Sequence, residues 1–260
     1  MDAIAAYRVI AFNSARESEN KIHDDAVARR FGFTGGLVPG VDVYAYMTHP
    51  ALVRWGRAWL EHGTCDCRFA QPVYHGDAAT ITAATVADGL TLGVESHGVV
   101  CATGQAGVAA NRSDPDPIPA PPAPPEHRPD ADDVTLAVGT LLGMRPLLLT
   151  AAFLDAYVQD VRETDPLYRR EGLAHPGLIL RTGNWALSHN VVLGPWMHVG
   201  SRVRHLAAAR LGQTLTVRAR VSANYERKGH RFVELEALAL TDRPVAQIHH
   251  VAIYRPRQAG

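Results

Sequence analysis

The chain has 260 residues, and its 26 Lys and Arg balance 26 Asp and Glu. A formal charge of zero gives no electrostatic reason to expect a nucleic acid or an anionic membrane as partner. Apolar residues make up 47% of the chain, which suits a large core and excludes a disordered protein. Three cysteines cannot all pair, and without a Cys-x-x-Cys they read as core or surface thiols, with no zinc site. The opening MDAIAAYRVIAF lacks a basic segment followed by an apolar one, and nowhere does an apolar run approach the roughly 20 residues of a membrane span. A cytoplasmic protein without metal or other cofactor is the expectation.

In chain order, an opening strand leads into a loop with a small helix. Val38-Pro39-Gly40-Val41 then starts a helical stretch that runs to about Leu60. A strand follows with Cys65, Cys67 and Arg68, then Gly76 and the alternating run AATITAATV. The turn at Ala87–Gly89 opens a hairpin. Residues 113–133 hold eight of the chain's 17 prolines, so they are expected to form a semi-rigid, extended linker.

Beyond the prolines the plan repeats. His175-Pro176-Gly177-Leu178 opens a helix, a strand carries Arg204, and Gly212 precedes TLTVRARV. The offsets are 137 residues for Gly40 to Gly177, 136 for Arg68 to Arg204, 136 for Gly76 to Gly212 and 140 for Gly89 to Gly229. So regular a spacing indicates duplication. The runs FVELEALAL and VAQIHHVAIY alternate at period two and predict long antiparallel strands. The expected fold class is α+β: a double hot-dog, each repeat having a long central helix wrapped by an antiparallel sheet. The repeats are assigned to residues 1–112 and 134–260, with the Pro-rich linker between them.

The segment Asn20–Thr48 resembles the signature of the MaoC-like dehydratases and (R)-specific enoyl-CoA hydratases. Asn20, His23 and Asp24 or Asp25 fall in the loop, Ala28 on its helix, Gly32-Phe33 in a turn, and Gly40 at the start of the central helix. FAQPVYHGD (Phe69–Asp77) is similar to a later strand and turn of that family. The resemblance covers most of residues 7–112. It implies a hydratase or dehydratase acting on an enoyl or 3-hydroxyacyl thioester of coenzyme A or acyl carrier protein, as a monomeric double hot-dog or a homodimer.

Such a reaction needs a group to activate water, a proton for C2, and donors for the thioester oxygen. The resemblance makes His23 the acid/base, Asn20 its orienting partner and the Gly40 amide the oxyanion donor. A helix N-terminus supplies free N–H groups, and glycine lets a ligand approach them. The family's aspartate is missing, because Ser18 stands in its place, flanked by Glu17 and Glu19 as substitutes. Its histidine before the helix glycine is replaced by Pro39.

Val41, Tyr46, Tyr168 and His175 are assigned to the substrate tunnel. Tyr44 and Tyr46 point apart on their helix, so at most one can face it. In the second repeat Glu163 falls at the aspartate position, Asp165 at the asparagine and Tyr168 at the histidine, with His175 as a further member of a mixed site. Trp196 reads as a core or repeat-interface anchor. His198, without metal partners, carries no role, and Arg68 and Arg204 read as members of ion pairs. Two other functions stay open: a thioesterase using Asp42, and a repurposed pocket (cyclase, isomerase or acyl binder), which the missing aspartate favours.

Overall fold

Eleven antiparallel strands form one sheet that is nearly symmetric about its middle, in a computed structural model that describes residues 4–109 and 113–257. The first half contains β1 (Tyr7–Ile10), β2 (Gly63–Phe69), β3 (Ala78–Val86), β4 (Gly89–Ser96) and β5 (Val99–Val108). The second contains β6 (Leu141–Gly143), β7 (Leu147–Leu148), β8 (Met197–His205), β9 (Thr214–Arg227), β10 (His230–Leu240) and β11 (Pro244–Arg255). Across the sheet the order is β1-β3-β4-β5-β2-β8-β11-β10-β9-β6, with β7 also on β9. The halves meet where β2 pairs with β8, from Thr64 opposite Arg204 to Arg68 opposite Gly200.

The strands follow their alternation. Along β10, Val233, Leu235 and Ala237 are fully buried, and along β11 Ile248, His250 and Ala252 point the same way. Cys65 and Cys67, two apart on β2, both face inward as core thiols, and burial raises the pKa of each. The β9–β10 turn is a two-residue hairpin in which Lys228 (φ 54°) and Gly229 (φ 78°) both take positive φ, matching the twist of the strands.

Two central helices lie on the sheet and touch each other: α2 (Gly40–Trp55) and α6 (Pro176–Ser188). Shorter helices are α1 (Asp25–Arg30), α3 (Arg57–His62), α4 (Ala151–Asp160) and α5 (Leu167–Glu171). The helical stretch expected from Val38 to Leu60 is divided at Gly56, whose φ of 60° ends α2 before α3 begins. Helix α4 was not anticipated, and the corresponding first-repeat loop holds only turns and the short 3₁₀ segment Lys21–His23. Residues 113–129 have no helix or strand, yet Ile118 is buried and its carbonyl accepts from Arg218 on β9. The Pro-rich segment thus packs on the second repeat. Arg68 and Arg204 form no ion pair among the described residues; Arg204 donates to the Ser113 carbonyl instead.

Polar bonds also join the helices. Asp42, in the first turn of α2, is buried at 1% exposure and its Oδ1 accepts from Arg181 of α6 at 2.5 Å. Ser14 Oγ donates to Asp42 Oδ2 at 2.5 Å and accepts from Arg181 at 3.0 Å. Removing one member of a buried pair strands the other charge, at a cost of roughly 3–5 kcal/mol. Arg181 keeps some solvent contact, so Asp42→Ala is expected to destabilise the protein by about 3 kcal/mol. Denaturant unfolding would measure this, and an unchanged midpoint would contradict it.

Candidate active site

The loop between β1 and α1 is shaped by its own side chains. Asn20 caps the 3₁₀ turn Lys21–His23 by accepting from the Ile22 N–H. Asp24 caps α1 by accepting from the Val27 N–H at 3.0 Å, and Asp25 accepts from the Gly36 N–H at 2.8 Å. These two carboxylates therefore build the loop.

His23 lies at the end of that turn, with Nδ1 2.6 Å from the Leu37 carbonyl. A carbonyl only accepts, so Nδ1 carries the hydrogen and the Nε2 lone pair points the other way. Nε2 is 3.2 Å from Asn20 Nδ2. Burial pushes the His23 pKa below its ordinary value, against the Leu37 bond, which favours the charged ring. The resting ring is a neutral base of defined tautomer. The backbone at Leu37 sets that tautomer.

Asn20 also crosses to the second repeat. Its Nδ2 donates to the Trp196 carbonyl at 3.0 Å and its Oδ1 accepts from the Trp196 N–H at 3.2 Å. This two-point bond fixes the orientation of the amide. Trp196, itself buried, is the interface anchor that its position suggested.

His23 lies between two cavities. One, of about 340 Å³, is walled largely by apolar groups such as Phe33, Val43, Val73 and Ile253, and its lining contains no carboxylate. The other, of about 440 Å³, is polar and includes Arg128, Arg145 and Arg181. Asn20, His23, Pro39, Asn184 and Trp196 line both.

Gly40, the first residue of α2, lines the apolar cavity. Pro39 before it provides no side-chain cap, and the Gly40 and Val41 N–H groups meet no acceptor among the described residues. They are the orphan donors of a helix start, directed where negative charge is favoured. A Cβ at Gly40 would stand 3.0 Å from His198 Nδ1 and 3.1 Å from Phe69 Cε2. The glycine therefore lets Phe69 and His198 pack directly on the helix start, where a side chain would collide with them.

The second helix start is closed. His175, the N-cap of α6, accepts from the Gly177 N–H through Nδ1 at 3.1 Å. A Cβ at Gly177 would be 2.6 Å from that of Ala45, so this glycine serves the contact between α2 and α6. Glu163 Oε1 contacts His49 Nδ1 at 2.9 Å and accepts from the Thr164 and Asp165 N–H groups, and its Oε2 is 3.6 Å from His175 Nε2. Burial alone would raise the Glu163 pKa, but the facing His175 and His49 imidazoles hold it well below the carboxylate range.

The expected site residues therefore divide. His23, Asn20 and Gly40 come together on the apolar cavity. Val41 and Ser18 line the polar one. Glu19 lines it too, but both its oxygens bind Arg128 at the surface, so it does not supply a carboxylate to His23. Tyr46, Tyr168 and His175 do not form the tunnel wall assigned to them. Tyr46 donates no bond into the cavity; its hydroxyl accepts from the Phe12 N–H. Tyr168 and His175 are buried against each other with ring centres 4.6 Å apart. The sequence reading missed Phe69, Asn184 and His198 as lining residues. His198 lies two residues after the anchor Trp196, the one local hint available.

The chain matches no family model and no curated protein. Solved structures resemble it along almost its whole length. One is a protein assigned as a MaoC-domain dehydratase from Chloroflexus aurantiacus, with TM-score 0.60 and 12% identity, covering 100% of this chain and 97% of that one. A conserved Mycobacterium tuberculosis protein described as a double hot-dog aligns with TM-score 0.62 and 15% identity, over 97% of this chain and 96% of that one. A protein assigned as a thioesterase from Novosphingobium aromaticivorans aligns with TM-score 0.54 and 14% identity, over 98% of each chain. The likeness is one of fold: this chain is a double hot-dog protein. Among the described residues no helix is long and apolar enough to cross a membrane.

A group whose pKa is depressed on folding stabilises above its unfolded pKa, and that contribution is lost as pH falls through the folded value. Glu163→Gln keeps an oxygen for the Thr164 and Asp165 amides but removes the charge facing the two imidazoles. It is expected to lower Tm at pH 7, by a margin that shrinks steadily below about pH 4 as the unfolded carboxyl protonates. Calorimetry across pH would check this, and a margin independent of pH would refute it.

Proposed function

We propose that the protein adds water to an enoyl thioester, or removes it from the 3-hydroxyacyl thioester, at the cavity shared by His23 and Gly40. The observation that carries the reading is a neutral imidazole of fixed tautomer, whose Nε2 lone pair meets only the long 3.2 Å contact from Asn20, on the same cavity wall as Gly40, the first unpaired amide of a helix start. The apolar cavity suits the acyl chain. The polar cavity on the other side of His23 suits the pantetheine arm of coenzyme A or acyl carrier protein.

With the thioester oxygen on the Gly40 and Val41 N–H groups, negative charge developing there is met by fixed donors. A water that displaces the long Asn20 contact at Nε2 gives that nitrogen a proton as its oxygen bonds to C3. The π pair of C2=C3 moves toward the thioester as an enolate. His23 Nε2 then returns the proton to C2, so one water is added and the ring is restored. The reverse sequence is dehydration.

A thioesterase would draw on Asp42, but both of that carboxylate's oxygens are held, by Arg181 and Ser14. The lyase is therefore the better reading.

With crotonyl-CoA, loss of enoyl absorbance without release of free thiol is expected. His23→Ala should lower kcat by about 10²- to 10⁴-fold. Because Nε2 must be unprotonated and burial lowers its pKa, kcat/KM should fall on the acid side with an apparent pKa below the ordinary ~6.5. Thiol release in place of hydration would establish the thioesterase, and full activity in His23→Ala would remove His23 from the reaction.

A further inference from the structure

The apolar cavity at His23 leads into a second space. Phe69, Ala70, Val199, His230 and Ile253 line it, and the same residues line a wide groove of about 1250 Å³ that runs over β2, β8, β10 and β11. They form the rim between an apolar space and a polar one. Strand register sets what stands beyond that rim. Arg68 adjoins Phe69 on β2, and Arg227 on β9 lies opposite His230 across the hairpin. Lys228 in the hairpin turn and Arg202 on β8 complete a set of four cations.

All four side chains are exposed, and none forms an ion pair or side-chain hydrogen bond among the described residues. The groove lining holds one carboxylate, Asp66, whose Oδ1 accepts from the Gln105 N–H at 2.7 Å. Glu234, close by on β10, is taken up by the Tyr225 hydroxyl and by His249, each at 2.9 Å. Uncompensated cations along a groove attract an anion through their summed field and hold it by charge-assisted bonds.

We propose that this groove receives the far end of the acyl chain and that this end is a carboxylate, so that the substrate is a thioester of a dicarboxylic acid. The inference rests on the hydratase reading, which gives the apolar cavity to the acyl chain and the polar cavity to the pantetheine arm. No residue lines both the groove and the polar cavity, so the phosphates of the coenzyme lie on the other side of His23. Methylenes beyond C3 lie against Val43, Val73 and Ile253, where loss of water favours them. The terminal carboxylate passes the rim and meets Arg68 and Arg227. In a shorter diacid it would stop among apolar groups, where a bare charge is costly.

The test uses trans-2-enoyl-CoA esters from octenoyl to tetradecenoyl, each with and without an ω-carboxyl. Once the chain is long enough to cross the cavity, kcat/KM should favour the diacid by about tenfold, the effect of two or three exposed charge contacts. That preference should shrink as ionic strength rises. In the double variant Arg68→Gln, Arg227→Gln the ratio should fall toward one. Both positions are exposed, so the fold does not depend on them. A wild type without preference at any length overturns the proposal. So does a double variant that loses equally with both esters, which would assign the cations to the coenzyme's phosphates.

If none of these esters is hydrated, the hydratase reading fails and binding still decides the groove. Calorimetry would compare the saturated acyl-CoA series with its ω-carboxy counterparts. Tighter binding of the long diacids that the double variant abolishes supports the carboxylate site. Equal affinities, or no binding by either series, overturn it.

Discussion

The pairing of β2 with β8 is the constraint on which the rest of the molecule depends. Each of these strands would otherwise present a row of unpaired backbone groups, and the antiparallel seam satisfies both at once. The pairing also sets a register. Arg68, near the end of β2, stands opposite Gly200, near the start of β8, so Phe69 comes to rest 4.9 Å from His198 in an edge-to-face contact. Trp196, just before β8, is thereby brought within reach of Asn20. The cavity is consequently a product of both repeats.

Duplication has produced two helix starts with opposite fates. Both carry a Pro-Gly pair, yet Pro39 lacks any group to cap the amides that follow it, while His175 bonds the Gly177 N–H directly. The difference lies in the neighbouring side chains. At α2 the residue before the proline is Val38, which cannot accept a hydrogen bond; at α6 it is His175, which can. The free donors thus belong to the first repeat, and the second uses its own for cohesion. Glu163, set between His175 and His49, extends that cohesion by tying the α4–α5 loop to α2.

The distribution of charge follows from the same arrangement. Asp42 and Glu163 are buried but fully engaged, and Glu19 is held outside by Arg128. What remains on the apolar cavity is a set of imidazoles, amides and backbone donors. The proposed chemistry would rely on neutral groups that hold and pass protons, which suits a low-dielectric wall where a bare carboxylate would be expensive to keep ionised.

Local patterns were sufficient for much of this. The constant offsets between Gly40 and Gly177 or Arg68 and Arg204 disclosed the duplication, period-two runs marked the long strands, and Asn20, His23 and Gly40 emerged from one contiguous segment. Such features depend on neighbours in the chain, so they survive in a string of letters. The division of α2 from α3 at Gly56 was missed because a helical pattern continues across it. Helix α4 has no α-helical counterpart in the first repeat, so the duplication carried no signal for it.

What only the tertiary structure decided is which side chains meet across distance. Nothing near residue 198 announces that its ring lies against Gly40, and nothing near residue 19 shows that Arg128 takes its carboxylate. Tyr168 and His175 hold family-like positions in the sequence, yet they lie buried against each other because α6 packs on α2 at Ala45. Sequence determines the repeat, the strands and the loop that carries His23, since these follow from backbone propensity and hydrophobic period. The partners of each polar group follow from the seam and from helix packing, which bring residues far apart in sequence to hydrogen-bonding distance.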